Sequence, residues 1–160
     1  MRNVFKRLAL ILAAALLITA GAGGLLWRQR EAAAADGAAA QACVAGAGTA
    51  AQAIFSYDYR SFDAAVANGS RYTTGQFAGE YVKMTAGLKP LATSEKAIVR
   101  AQVSATGVEE VAGDTVTVLV YLNQYRRNAK VSGEKVDQNR VVLTMRRDGG
   151  TWKVAAAAAV

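Results

Sequence analysis

The chain has 160 residues, with 19 lysines and arginines against 12 aspartates and glutamates and a formal net charge of +7. It contains no histidine, which excludes the side chain that titrates near neutral pH, the commonest metal ligand and every Ser-His or Cys-His nucleophile pair. Its one cysteine, Cys43, excludes an intramolecular disulfide, so the core alone must hold the fold.

Residues 1–7 carry Arg2, Lys6 and Arg7 and form a predicted cytoplasmic tail. Leu8 to Trp27 follows without a charge over twenty residues. At about 1.5 Å per residue this stretch crosses a hydrocarbon core of roughly 30 Å. Trp27 sits where an interfacial aromatic belongs, and Arg28 and Arg30 follow at headgroup depth. The pattern predicts a single-pass protein of the cell membrane, with its N-terminus in the cytoplasm. Residues 28–35 are a juxtamembrane linker or helix start, and residues 36–160 an extracytoplasmic domain. The charge bias behind this sidedness is small, because Arg28 and Arg30 beyond the span are offset by Glu31 and Asp36. Ala20-Gly21-Ala22 also fits a cleavage site behind an apolar region from Leu8 to Thr19, so a cleaved signal is the competing reading. Both readings put the domain outside the cytoplasm. Without the three N-terminal cations, sixteen basic residues face twelve acidic ones, which implies no nucleic-acid partner. Cys43 lies past the apolar run, preceded by Ala-Gln-Ala, and reads as a small helix-face residue.

Residues 31 to 53 are alanine-rich and predict a helix, with Val44, Ala47, Ala51, Ile54 and Phe55 along one face and an end near Tyr59. Ser61 fits an N-cap with Asp63 in the first turn, and Asn68-Gly69 ends that short helix. Thr73-Thr74-Gly75-Gln76 has the spacing of a capping box. Behind it Phe77, Tyr81, Met84, Leu88 and Leu91 mark a core-facing helix, with a break expected around Gly87 to Lys89 because of Pro90.

After Lys96 the period falls to two. Val99, Ala101, Val103 and Ala105 alternate with polar residues, as do Val116, Val118, Val120 and Leu122 with their neighbours. Residues 126 to 139 read as a polar loop. Val141, Leu143 and Met145 form a third strand, and Asp148-Gly149-Gly150 turns the chain into a fourth at Thr151 to Val154. The fold class expected is α+β: an N-terminal transmembrane helix, then three helices packed on a curved four-stranded antiparallel sheet, leaving a conical cavity between the two layers.

This order resembles the nuclear-transport-factor-two-like cone fold. The stretch from Ile54 through Tyr57-Asp58-Tyr59-Arg60-Ser61 to Asp63 is similar to a signature of actinobacterial Mce-associated membrane proteins. So are Thr73-Thr74-Gly75-Gln76-Phe77 with Tyr81, Val118-Leu119-Val120-Tyr121 leading to Gln124, and Arg147-Asp148-Gly149-Gly150-Thr151-Trp152-Lys153-Val154. The resemblance implies an accessory, non-enzymatic role beside a mammalian-cell-entry (Mce) complex that moves lipids or sterols. Two features depart from it: the alanine-rich end from Ala155 to Val160, and the basic loop from Arg126 to Lys135.

Three site readings follow. Asp58 beside Tyr57 and Tyr59 invites acid–base chemistry, but a lone carboxylate without a second acid or base favours a corner held by hydrogen bonds, for instance to Arg60. Asp58, Phe77, Tyr81, Met84, Val103, Val118 and Trp152 are candidates to line an apolar cavity, or simply fill the core. Arg126, Arg127, Lys130, Lys135 and Arg140 form a basic cluster that would meet anionic headgroups or an acidic partner, or stay solvated. No catalytic, cofactor or metal residue is assigned. Expected partners are the membrane and proteins of an envelope transport complex, with homodimerisation open. The alternatives are a bitopic scaffold of a type IV secretion system, and a lipid-binding module or enzyme using the cavity. Asn68-Gly69-Ser70 matches a glycosylation acceptor, but its helix-end position explains it better.

Overall fold

The structure, a computed structural model, describes residues 37–160. The predicted tail, membrane span and residues 28–35 lie outside the described residues.

The first helix, α1, covers Gly37–Phe55 and is, among the described residues, the one helix long and apolar enough to cross a membrane. Its apolar face is nevertheless spent on the domain, because Cys43, Ala47, Ala50, Ala51 and Ile54 are all buried. The spacing is helical, and the alanines let the helix approach the sheet closely. The buried stripe is rotated slightly from the expected one: Val44 and Phe55 are only half-buried, while Cys43 and Ala50 are at the centre.

The helix stops at Phe55 rather than near Tyr59, because the chain leaves it to join the sheet. The Ser56 hydroxyl accepts the Ala101 N–H at 2.9 Å. Tyr57–Asp58 then forms a two-residue strand, β1, paired antiparallel with Val99 and Ile98. A 3-10 turn at Tyr59–Ser61 leads into α2, Phe62–Ser70, and then α3, Gly75–Ser94.

The sheet has five strands rather than the expected four, in the order β1-β2-β3-β4-β5. The four long strands are β2 (Ile98–Ala112), β3 (Thr115–Asn128), β4 (Val131–Asp148) and β5 (Thr151–Ala159), each antiparallel to the next. β1 escaped the sequence pattern because two residues carry no period. Gly149 and Gly150 both sit at positive φ, as a two-residue hairpin turn requires.

The expected polar loop at 126–139 is instead the far end of the β3–β4 hairpin. Asn128 turns it, its side-chain oxygen accepting the N–H groups of Lys130 at 3.1 Å and Val131 at 3.0 Å. Cross-strand ion pairs Arg126–Asp137 and Arg127–Glu134 fasten it. Strand structure was hidden there because most side chains on both faces meet solvent, which removes the apolar alternation that marks a half-buried strand.

The core lies between sheet and helices. Val116, Val118, Val120, Leu122, Leu143, Met145 and Val154 are fully buried in it, with Phe77 and Tyr81 from α3. Burying each large aliphatic side chain contributes about 1.5–3 kcal/mol. Ala105, expected to point inward, is exposed, because a register shift between Val103 and Ala105 reverses the alternation of β2.

Two expectations for α3 also change. The helix continues through Pro90 to Ser94 without a break. Pro90 and Ala86 are both exposed, so water can reach the Ala86 carbonyl that lost its donor, and buried Ala92 keeps the last turn docked. The capping box does not form: Thr74 is the N-cap, but its hydroxyl makes no cap bond, and Gln76 bonds Glu80 instead.

Candidate functional site

The motif residues of the sequence meet in three fasteners. At the β1 corner, Asp58 accepts the backbone N–H of Arg60 at 2.9 Å and its guanidinium at 2.5–3.1 Å. These hydrogen bonds, side-chain first, hold the Asp58 carboxyl below the usual carboxylate range. A carboxylate so engaged is a poor proton carrier near neutral pH. Asp58 borders an open cleft of mixed lining with Tyr57, Ser61, Asn68 and Val99, away from the apolar groove described below.

The second fastener joins two motifs far apart in sequence. The Thr74 hydroxyl donates to Asp148 at 2.9 Å, and Lys153 reaches the same oxygen at 3.2 Å. These contacts lower the Asp148 pKa, the Thr74 hydrogen bond first. The backbone reinforces the join: Thr74 N–H donates to Val154 O at 2.9 Å and Val154 N–H to Tyr72 O at 2.7 Å. The third fastener is a close approach. Gly69 is buried, and a Cβ there would lie 2.2 Å from the Tyr81 hydroxyl and 3.2 Å from the Ala53 carbonyl. Gly69 therefore serves the α1–α2–α3 contact as well as lying in the last turn of α2, which ends at Ser70 as the Asn68-Gly69 signal led one to expect. No sequence signal separated these two roles of a glycine.

At the open end of the cone, α3, the end of α1 and the end of β5 enclose an apolar groove of about 270 Å³. Phe77, Tyr81 and Met84 line it as expected, together with Phe55, Leu88 and Ala157 to Ala159. Met84 is 57% exposed and Leu91 54%, so neither is the core residue that the spacing predicted. A smaller chamber of about 210 Å³ shares Phe55, Tyr81 and Leu88 and reaches Tyr57 and Gln124. Val103, Val118 and Trp152 do not line the groove. Val118 is fully buried, Val103 packs on the core, and Trp152 lies under Arg147 at 5.1 Å. The residues missed were Ile54, Phe55, Thr85, Leu88, Val141 and the alanines of β5. The alanines gave no signal, because the sequence pattern ended the last strand at Val154.

Of the five basic residues of the expected cluster, three sit in ion pairs. Arg126 and Arg127 pair across the hairpin with Asp137 and Glu134, and Lys130 pairs with Glu95 at 2.8 Å. Lys135 and Arg140 make no ion pair among the described residues.

A five-stranded antiparallel sheet closed by three helices, with a groove at the mouth, defines the cone-fold class. Solved structures share it. An IcmL-like type IV secretion system protein from Legionella pneumophila aligns with a TM-score of 0.61 at 14% identity, covering 73% of this chain and 88% of that one. CagV, a VirB8 homolog from Helicobacter pylori, gives 0.60 at 11% identity over 73% and 95%. The periplasmic domain of DotI gives 0.59 at 17% over 73% and 91%.

The family is narrower than the fold. The family described as "Uncharacterized protein Rv1363c/MT1408-like" matches residues 3–160, and the chain belongs to it. Among its relatives, "Uncharacterized protein Rv1362c" of Mycobacterium tuberculosis (strain ATCC 25618 / H37Rv) is 27% identical over 157 residues, 96% of this chain and 71% of the relative. "Uncharacterized protein MT1407" of strain CDC 1551 / Oshkosh matches equally.

Proposed function

We propose that this is a non-enzymatic, membrane-anchored accessory protein whose cone domain docks on a larger envelope assembly, and that the assembly is an Mce-type lipid or sterol transporter. The observation that carries the reading is the use of the motif residues. Asp58 is bound to Arg60 and Thr74 to Asp148, each pair holding a corner of the fold. Such a domain offers surfaces more readily than chemistry. The apolar Leu8–Trp27 segment supports the anchor, and likeness of fold to periplasmic domains supports a location beyond the membrane. The signature resemblance favours the Mce assembly.

A second reading has its own support. The solved structures of like fold are named as type IV secretion components, so a bitopic scaffold of a secretion machine fits the same architecture. Purification of the full chain from native membranes in mild detergent separates the two. Co-purifying Mce subunits are the expected result, and secretion subunits would favour the scaffold. A chain that emerges alone would count against both.

A further inference from the structure

The two edges of the sheet are treated differently. Along β2 the edge carries Glu109 and Glu110 and two register shifts, devices that keep an edge from pairing with another chain. On its outer side the main chain of β5 is paired, among the described residues, only at Val154, where Tyr72 and Thr74 bond it in parallel fashion. From Ala155 to Ala159 it has one register shift but no charge, no proline and, among the described residues, no strand on its outer side. The register fixes which backbone groups are free. Past a register shift at Ala155, Val160 N–H donates to Arg140 O, so the groups of Ala156 and Ala158 turn toward β4 and those of Ala157 and Ala159 turn outward, as those of Val154 do. The apolar groove lies against these same alanines, walled on the far side by Tyr81, Met84 and Leu88.

We propose that the free β5 edge and the groove form one strand-addition site for a partner protein. The occupant is an extended segment whose main chain continues the line begun by Tyr72–Thr74, pairs with Ala157 and Ala159, and sets alternate bulky apolar side chains into the groove. This names the contact through which the docking proposed above is made, and rests on that reading. Main-chain donors and acceptors beside an uncharged wall select an extended apolar peptide. A second copy of this edge would present only alanines, which leave a groove of about 270 Å³ largely unfilled. A hydrocarbon chain would fill the groove but give the edge nothing to pair with.

The test places a benzoylphenylalanine photocrosslinker at Leu88 of the full chain in its native membranes. The expected result is one adduct to a co-purifying partner, whose linked peptide on sequencing carries bulky apolar residues at alternate positions. Ala157→Pro removes an outward N–H, and Met84→Lys puts a charge at an exposed groove position. Each should lower the adduct at least ten-fold with thermal unfolding unchanged, while Val108→Lys on β2 leaves it intact. An adduct to a second copy, to the chain itself or to lipid alone overturns the proposal. So does no adduct, or one indifferent to both variants. Partner co-purification that survives Ala157→Pro without an adduct leaves the docking reading standing and removes only this site. If the unaltered chain purifies alone, both fall.

Discussion

Gly69 shows how much one missing methyl group can decide. The sequence marked Asn68-Gly69 as a helix end, because glycine after a polar residue commonly stops a helix. The helix does end there, at Ser70, and the glycine also lies against the Tyr81 hydroxyl and the Ala53 carbonyl. Tyr81 is itself buried and cannot swing aside freely. Gly69→Ala should therefore destabilise the domain by about 1–3 kcal/mol, the cost of overpacking, against the gain in helix propensity that alanine gives at an open site. Urea unfolding of the variant measures this, with exposed Gly79→Ala, which meets nothing within 4 Å, as the comparison that should not destabilise.

At the scale of elements, the clasp between the α2–α3 link and the β4–β5 turn is the longest-range fastener in the motifs. Thr74→Val keeps the shape but removes the hydroxyl that Asp148 accepts. It should cost about 1 kcal/mol, as the loss of one hydrogen bond does. Amide exchange should quicken at Val154, whose N–H bonds Tyr72, and unchanged protection there would show that the clasp does not hold the link. Much of the element order was legible. Val116 to Leu122 and Val141 to Met145 alternate because one face of each strand is buried, and a period of two is a local signal. The extra strand at Tyr57–Asp58 and the hairpin beyond Arg126 were not, since the first is too short for a period and the second has no buried face. The fate of Pro90 was also hidden: whether a helix survives a proline depends on what water and neighbouring turns supply.

The whole molecule should be most stable between two pH limits. The Asp58 and Asp148 pKa values are lowered by hydrogen bonds to Arg60 and Thr74. As pH falls below the ordinary carboxylate range of about 4, the unfolded chain takes up protons that the fold resists, so stability present at neutral pH is lost. On the alkaline side, burial pushes the Cys43 thiol up from 9.0 to about 11, and burial also raises Tyr57 and Tyr81. The unfolded chain releases these protons first, so stability falls as pH rises from 9 toward 11. Denaturant midpoints across pH 3–10 should trace this plateau, about pH 5–8 being its centre. Native alkylation of Cys43 should be slow until unfolding. A flat profile, or fast native alkylation, would contradict the burial of α1.

The sequence by itself determined the class of the domain: helices first, strands after, an apolar segment ahead, and no histidine on which to build the usual catalytic pairs. These follow from composition and from short periods, which are local properties of the chain. Only the tertiary structure decided what the motifs are for. Thr74 meets Asp148 and Gly69 meets Tyr81 through contacts that no local pattern encodes. The alanines at the end of the chain carry no side-chain signal, yet in the sheet their backbone forms a free edge beside an apolar groove. An edge exists only once the neighbouring strands are placed.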